Sequence, residues 1–567
     1  MTKLSAIPIA ALFALITATT AVGAGGDVLA SNGSPPTPFS QNKQNEPTIA
    51  ADANTPSVLV AGSNDEIDEQ GCNGTSCPFT QGVGVSGVYF SFDSGATWLQ
   101  PTYTGWSARN CKAGPCTPQS NGPIGTLPWY FENGLVADGD PGVAFGPRLI
   151  NGKFTWAQGS RLYYSNLTSN FSGVRSDTAF NGFEAIAVSR TDNVAAAAAS
   201  DKNAWMPPVL VSQQSQTTFS DKSQIWADNA SSSPFFGNVY ICWARFQGQE
   251  KSGRAAPAQL RVAVSTDGGS TWTENAVGAA ANNGQRNPLD GCTIRTDSKG
   301  RTYVFGIGTD SSLGKSSFEL MSTSDNGGSS WSSPVPVAGP VTQPGLFDPG
   351  LGRPTIDGIA GARSDLAPAP SVDIANGAPT GADATDRIVM SYVSGAIDTQ
   401  DVFFTQSTDR GATWSTPKAV ETAGDHGIYT APSISPNGSD VYVVYNAFTT
   451  KYQTTTSTPR ILVGVLLHAG ASGTFTEVHR GAPGDPRGSS QNGLTAEFLG
   501  DYVYATATRT YGAAVWNDTR NAADCPAIDA WRISLRGSGG VPRPAPLTDC
   551  PANFGNSDIF AATFKPV

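Results

Sequence analysis

Hydrophobic and polar positions alternate along this chain in short bursts, and the bursts come in pairs. The first member of each pair opens at a Pro-, Gly- or Asp-marked turn: NEPTIAAD (45–52), DPGVAFGP (140–147), DKSQIWAD (221–228), DGCTIRTD (290–297), GRPTIDGI (352–359), APSISPNG (431–438) and GDYVYATA (500–507). A second apolar run follows each: SVLVAGSND, KFTWAQG, NVYICWARF, RTYVFGIG, RIVMSYVSG, DVYVVYNAF and YGAAVWNDT. Their β-branched and aromatic content, bounded by Gly, Asn and Asp, predicts strands. In several units a third run (GVYFSFD, LRVAVSTD, FELMSTSD, VFFTQSTD) leads into a tight turn, and a fourth follows it. Each unit is therefore a four-stranded antiparallel sheet of about 70 residues. One such meander cannot bury both faces; radial stacking of several does. The expected fold is all-β, a β-propeller of seven four-stranded antiparallel blades. Six is the alternative count, because the last unit is hard to close, the second has a degenerate turn (189–205) and the sixth has lost its acid.

The tight turns repeat closely. SFDSGATW (91–98), STDGGSTW (265–272), SDNGGSSW (324–331) and STDRGATW (407–414) share an acid or amide, Gly two positions on, Thr or Ser at four and Trp at five. The carboxylate can accept N–H bonds from its own turn, Gly supplies backbone freedom, and Trp offers an apolar face to a neighbouring sheet. This S-x-D-x-G-x-T-W pattern resembles the Asp-box, or BNR repeat, of the sialidase superfamily. The resemblance implies that Asp93, Asp267, Asn326 and Asp409 are structural, on turns between third and fourth strands, away from the active face. The four Trp residues should be mostly buried between sheets.

Composition narrows the setting. The chain of 567 residues has 14% charged residues, 63 Gly, 40 Pro and a formal net charge of −11. With no basic field to draw phosphates, nucleic acid is excluded as a partner. Lys3, an apolar run and the small residues Val22-Gly23-Ala24 read as a signal peptide over 1–24. A flexible linker is expected at 25–43, and the propeller at 44–567. No later apolar run is long enough to span a bilayer, so the mature protein is expected to be secreted. Eight cysteines in an exported chain predict disulfides: Cys72–Cys77 and Cys111–Cys116 as small staples, then Cys242–Cys292 and Cys525–Cys550. The alternative of zinc at the C-x4-C pairs finds only three His, none near them.

In propellers of this type the ligand face carries the loops entering first strands and leaving second strands. The former bring Asn45, Glu46, Asp138, Asp140, Asp221, Lys222, Asp290, Arg353, Asp425, His426, Glu497, Asp501 and Tyr502. The latter bring Asn64, Asp65, Arg245, Asp310, Asn446, Asn517, Asp518 and Arg520. The family resemblance implies three substrate-binding arginines, an Asp acid/base and a Tyr nucleophile paired with a Glu. Here Glu46 stands where the first arginine belongs, and GRPTI (352–356) resembles the family's Arg-Ile-Pro motif but lies in the fifth unit. The expected catalytic set is Tyr502, Glu497, Asp501 and Asp140; the expected substrate-binding set is Arg353, Arg245, Arg520, His426 and Glu46. No cofactor is expected, with a structural calcium at DGDPG (138–142), Asn64 and Asp65 as an option. The expected activity is that of an exo-acting glycoside hydrolase on an extracellular carbohydrate. A non-catalytic glycan- or protein-binding propeller and a polysaccharide lyase using His426 are the alternatives.

Overall fold

The computed structural model describes residues 26–566 apart from 115, 177–178, 249–257, 281–286, 310–315, 357–359 and 453–459. The expected signal segment 1–24 and Asp310 lie outside the described residues. Seven inner strands ring a central channel: Gln44–Ala51, Gly142–Ile150, Thr218–Ala227, Asn287–Thr296, Ser371–Ile374, His426–Ile434 and Tyr504–Ala507. Each packs against the next, and the last against the first, so the ring is complete. The protein is a seven-bladed β-propeller, and most blades have four antiparallel strands.

Middle strands carry the core. Val441–Phe448 (VYVVYNAF) is buried throughout because neighbouring blades cover both its faces. The outer strand of that blade, Thr476–Arg480, leaves its first two residues exposed. Blades approach closely where glycine meets an aromatic ring. A Cβ on Gly464 would lie 2.2 Å from the Trp516 indole of the next blade.

The four repeated turns share one bonding scheme. In the first, Thr97 donates to Asp93 from both N–H (2.9 Å) and hydroxyl (2.7 Å), while Ser91 Oγ donates to Asp93 and accepts from Gly95 N–H. Asp267, Asn326 and Asp409 take the same place in theirs. The first turn also meets the loop between first and second strands, through Ser94 N–H to Ser57 O at 2.9 Å. These turns therefore occupy the end of the blades opposite the first-strand entrances. Trp98 is buried, but Trp272, Trp331 and Trp414 are only half-buried. They cap the blade contacts at the rim, as Trp414 does edge-on to Phe305 at 5.9 Å.

All four expected disulfides are present, and Cys242–Cys292 ties blades three and four. Three expectations shift. The fifth inner strand is Ser371–Ile374; residues around 352–356 form a separate hairpin, Leu346–Asp348 with Arg353–Thr355. In blade two the second strand runs on to Lys153–Asn170, well past KFTWAQG. Residues 26–43 are built into the fold where a linker was expected. Val28–Leu29 is the outer strand of blade seven, and Phe39 is buried against Phe554. That pairing closes the unit that could not be closed from sequence: its third strand, Asp558–Phe564, follows an insert with helices Pro526–Ser534 and Pro546–Asp549.

Candidate functional site at the channel mouth

At the entrance to the first three inner strands, Glu46 (φ 57°), Asp140 (φ 51°) and Lys222 (φ 57°) adopt left-handed backbone. In blades one and three the strand register slips at this point. Blade four puts Gly291 (φ 61°) there, a residue that takes this conformation freely. A side chain there costs on the order of 1–3 kcal/mol, a strain typical of functional sites. The left-handed turns bring all three side chains together. Lys222 Nζ lies 3.2 Å from Glu46, 3.1 Å from Asp140 and 2.8 Å from Asp501. Arg363 forks onto Asp501, with Nε at 2.9 Å, and approaches Glu46 at 3.5 Å. Tyr429 donates to the carbonyl of Arg363 at 2.7 Å.

Burial raises the Glu46 pKa well above its ordinary value; the Asp140 charge adds to this and Lys222 only partly opposes it. Burial acts the same way on Asp501, but Arg363 and Lys222 overcome it and hold that carboxyl far below the usual range. Two carboxyls on one ammonium thus have opposite proton affinities. Burial disfavours the Lys222 ammonium, yet Asp140, Asp501 and Glu46 outweigh it and raise its pKa. Asp290, one blade on, is pushed up to about 6, mainly by burial.

A pocket of about 600 Å³ opens beside this cluster, within the ~300–1,000 Å³ span of small-molecule sites. Asn45, Asn64, Asp138 and Glu184 line it, with Phe79, Phe171 and Phe498 among its walls. Asn64 joins pocket to cluster: Nδ2 donates to Asn45 Oδ1 and Glu46 Oε2, both at 2.8 Å, and Oδ1 accepts Asp140 N–H at 2.8 Å. Gly139 permits this, since a Cβ there would sit 2.4 Å from Asn64 Oδ1. Asp138 and Glu184 lie beside each other and interact electrostatically. Burial, then the Asp138 charge, lifts Glu184 well above the normal carboxylate range. Among the described residues, Asn45 Nδ2 and Glu184 Oε2 have no hydrogen-bond partner.

One wall hangs from a second small core of Phe39, Cys72, Cys77, Leu494, Cys525, Ile528, Trp531 and Phe554. Inside it the buried Arg532 donates to the carbonyls of Leu494 and Ala496, each at 2.9 Å. This fixes the turn that presents Asn492 and Phe498. Lys43 bridges to Asn492 (2.6 Å) and Glu66 (2.6 Å) along the same wall.

Of the expected residues, Glu46, Asp140, Asp501 and Tyr502 converge; the Tyr502 ring lies 5.6 Å from Lys222 Nζ. Burial, then Asp140 and Glu46, raises the Tyr502 pKa, the reverse of what a phenolate nucleophile requires. Glu497 is instead buried in an ion pair with Arg460 at 2.7 Å. Arg353 pairs with Asp365 (3.2 Å) on the outlying hairpin. Arg245 pairs with Glu274 (3.1 Å) of an outer strand. Arg520 is held by Asp518 and Asp27 over the Phe560 ring. His426 opens the sixth inner strand opposite Phe448. Asp65, one of the oxygen donors considered for calcium, turns to Tyr89 (2.9 Å) and Gln100 (2.7 Å). Among the described residues no group of three or more His, Cys, Asp or Glu is arranged for a metal ion. Arg363 and Glu184 were not anticipated. Arg363 follows the misplaced fifth strand, and Glu184 precedes a strand, Ala185–Thr191, that the repeat did not reveal and whose end overlaps the degenerate turn at 189–205.

Fold and site together define a seven-bladed propeller with an acid-lined pocket at its channel mouth. Among solved structures the chain is similar to the Hadza microbial sialidase Hz136, with 13% identity, coverage of 71% of this chain and 63% of that one, and a TM-score of 0.39. It is similar to Trypanosoma rangeli sialidase in complex with the inhibitor DANA (12%, 72% and 53%, 0.37). It is also similar to the intramolecular trans-sialidase from Ruminococcus gnavus (14%, 75% and 94%, 0.39). The match spans less than two thirds of the first two chains. No family model and no curated protein matches the chain. A likeness at this level assigns no residue.

Proposed function

We propose that the protein is a secreted, exo-acting glycoside hydrolase that accepts an extracellular sugar without a carboxylate in the pocket beside Glu46. The carrying observation is the recessed, neighbouring Asp138 and Glu184 carboxyls lining that space. The raised pKa of Glu184 favours its protonated form, which suits a general acid for the leaving oxygen while water attacks the anomeric carbon; Asp138 is its charged neighbour. Asn45 Nδ2 is a free donor for a ring hydroxyl, and the phenylalanine walls suit the apolar faces of a pyranose. Carboxyls outnumber cations here, and in a partly dry site their repulsion of an acidic sugar is weakly screened. Four disulfides suit an oxidising compartment. Among the described residues no helix is long and apolar enough to cross a membrane.

The test is a panel of chromogenic glycosides, sialosides included. Turnover of a neutral or amino sugar, lost in Glu184→Gln with unchanged melting, supports the reading; sialoside cleavage indifferent to Glu184→Gln overturns it. A non-catalytic binding propeller is favoured by the protonated Tyr502, and glycan binding without turnover selects it.

A further inference from the structure

Three aromatic side chains from separate segments meet on the surface next to the pocket. Trp106 lies on the hairpin Tyr103–Ser107/Gln119–Ile124, Phe131 begins a short 3-10 helix, and Phe171 follows the long strand of blade two. Trp106 stacks on Phe131 at 5.0 Å with 22° between planes, and Phe171 meets both edge-on at 5.2 and 5.0 Å. All three remain half-exposed. Polar contacts at the ring edges add to this stack in fixing their placement. Trp106 Nε1 donates to Gln81 O at 3.0 Å, and Gln81 Nε2 to Ser172 O at 2.9 Å. Phe171 lies so close over Gly82 that a Cβ there would be 2.1 Å from the ring. Phe171 lines the pocket; Trp106 and Phe131 line the adjoining depression; Gly82 and Val136 are shared by both. The aromatic surface therefore adjoins the pocket; the charged group lining the depression, Glu132, is neutralised by Lys202 at 2.5 Å.

We infer that Trp106 and Phe131 form a second sugar-stacking subsite continuous with the pocket, so that the ligand is a neutral oligosaccharide of several units and not a single terminal sugar. This rests on the pocket being the sugar site. Fixed indole and phenyl faces stack on C–H faces of pyranose rings while the sugar hydroxyls stay in water, and a chain can run from Phe79 past Phe171 to Trp106. A protein partner would need the apolar patch to be drier and larger.

The probes are cello-, xylo-, malto- and chito-oligosaccharides of one to six units, with the matching monosaccharide nitrophenyl glycosides. Affinity is measured on Glu184→Gln, and kcat/KM on the intact protein. The expected result is a gain of at least tenfold from one unit to three or four in one series. Trp106→Ala should abolish that gain and Trp106→Phe retain most of it, with monosaccharide constants unchanged and both variants folded, as read by circular dichroism. No gain with length, or a gain that survives Trp106→Ala, overturns the subsite. Cleavage of monosaccharide glycosides without a length gain leaves the hydrolase standing and removes the subsite. A length gain without cleavage supports the subsite and removes the hydrolase. Binding of no member in either form removes both.

Discussion

Replacing Lys222 by Met keeps the length of the side chain and removes one charge from beneath three carboxyls. At contacts of 2.8 to 3.2 Å, each pair carries about 5–6 kcal/mol of Coulomb attraction at an effective dielectric of ~20. Most of that offsets desolvation of the ions and repulsion among the acids, and breaking a buried pair from one side typically costs about 3–5 kcal/mol net. Unfolding entropy of ~2.1 cal/mol/K per residue gives about 1.1 kcal/mol/K for the span 26–566, so the melting temperature should fall by roughly 3–5 °C. The pH dependence has a definite sign. The Lys222 pKa is raised, so its contribution in the native protein is constant below about 10.4 and is lost only above that. In the variant, Glu46 and Asp140 lose their cation and their already raised pKa values climb further. The folded state then keeps protons that the unfolded chain has released above about pH 4–5, so stability falls as pH rises through that window. Scanning calorimetry of both proteins at pH 5 and pH 8 should show the larger deficit at pH 8. A deficit under 1 °C at pH 8, or an equal deficit at both, would refute the account of the cluster.

Asp267→Ala removes four turn hydrogen bonds and should cost about 1–2 kcal/mol in denaturant titration, leaving any ligand affinity intact. The Asp409 carboxyl is held at about 2, first by the Thr413 hydroxyl bond. Asp409→Asn should therefore remove part of the acid destabilisation between pH 4 and 2, readable from melting curves across that range. Trp414→Ala, at a half-buried site, should cost roughly 2 kcal/mol, below the ~3–5 of a fully buried aromatic. Losing Cys242–Cys292, whose residues are 50 apart, should cost about 4 kcal/mol by loop entropy, seen when the Cys242→Ser/Cys292→Ser double variant is compared by denaturant unfolding.

The blades were legible because stacking forces a visible pattern: fully buried, mostly apolar middle strands such as Val441–Phe448, and turns whose Asp, Gly and Thr serve their own backbone. The fifth first strand was misread because GRPTI has a strand's composition while the true one, Ser371–Ile374, is only four residues long. That error hid Arg363, which the chain presents from an irregular loop with no local signature. Glu46, Asp140 and Lys222 could be placed on the right loops from the repeat, but the left-handed turns that bring them onto one another have no periodicity to read. Glu497 sits five residues from Tyr502 yet faces Arg460, since the turn fixed by Arg532 separates neighbours in sequence. Ion pairs between blades depend on distances that no single unit encodes.

The pairing of Val28–Leu29 with Asp558–Phe564 has a kinetic consequence. It joins segments 528 residues apart, so the ring shuts only after the whole chain is available, and it contributes the longest-range contacts, which slow folding. Two residues form the paired strand of this latch, reinforced by Ala30 N–H to Ile559 O at 2.8 Å, Ile559 N–H to Ser31 Oγ at 2.9 Å and Asp27 to Arg520 at 2.5 Å. None of the four disulfides crosses it. Oxidation therefore clamps single loops and the junction of blades three and four, while the circle as a whole is held by a strand that can peel. Unzipping starts there, and a covalent bolt between that strand and its partner would slow the opening of the entire wheel.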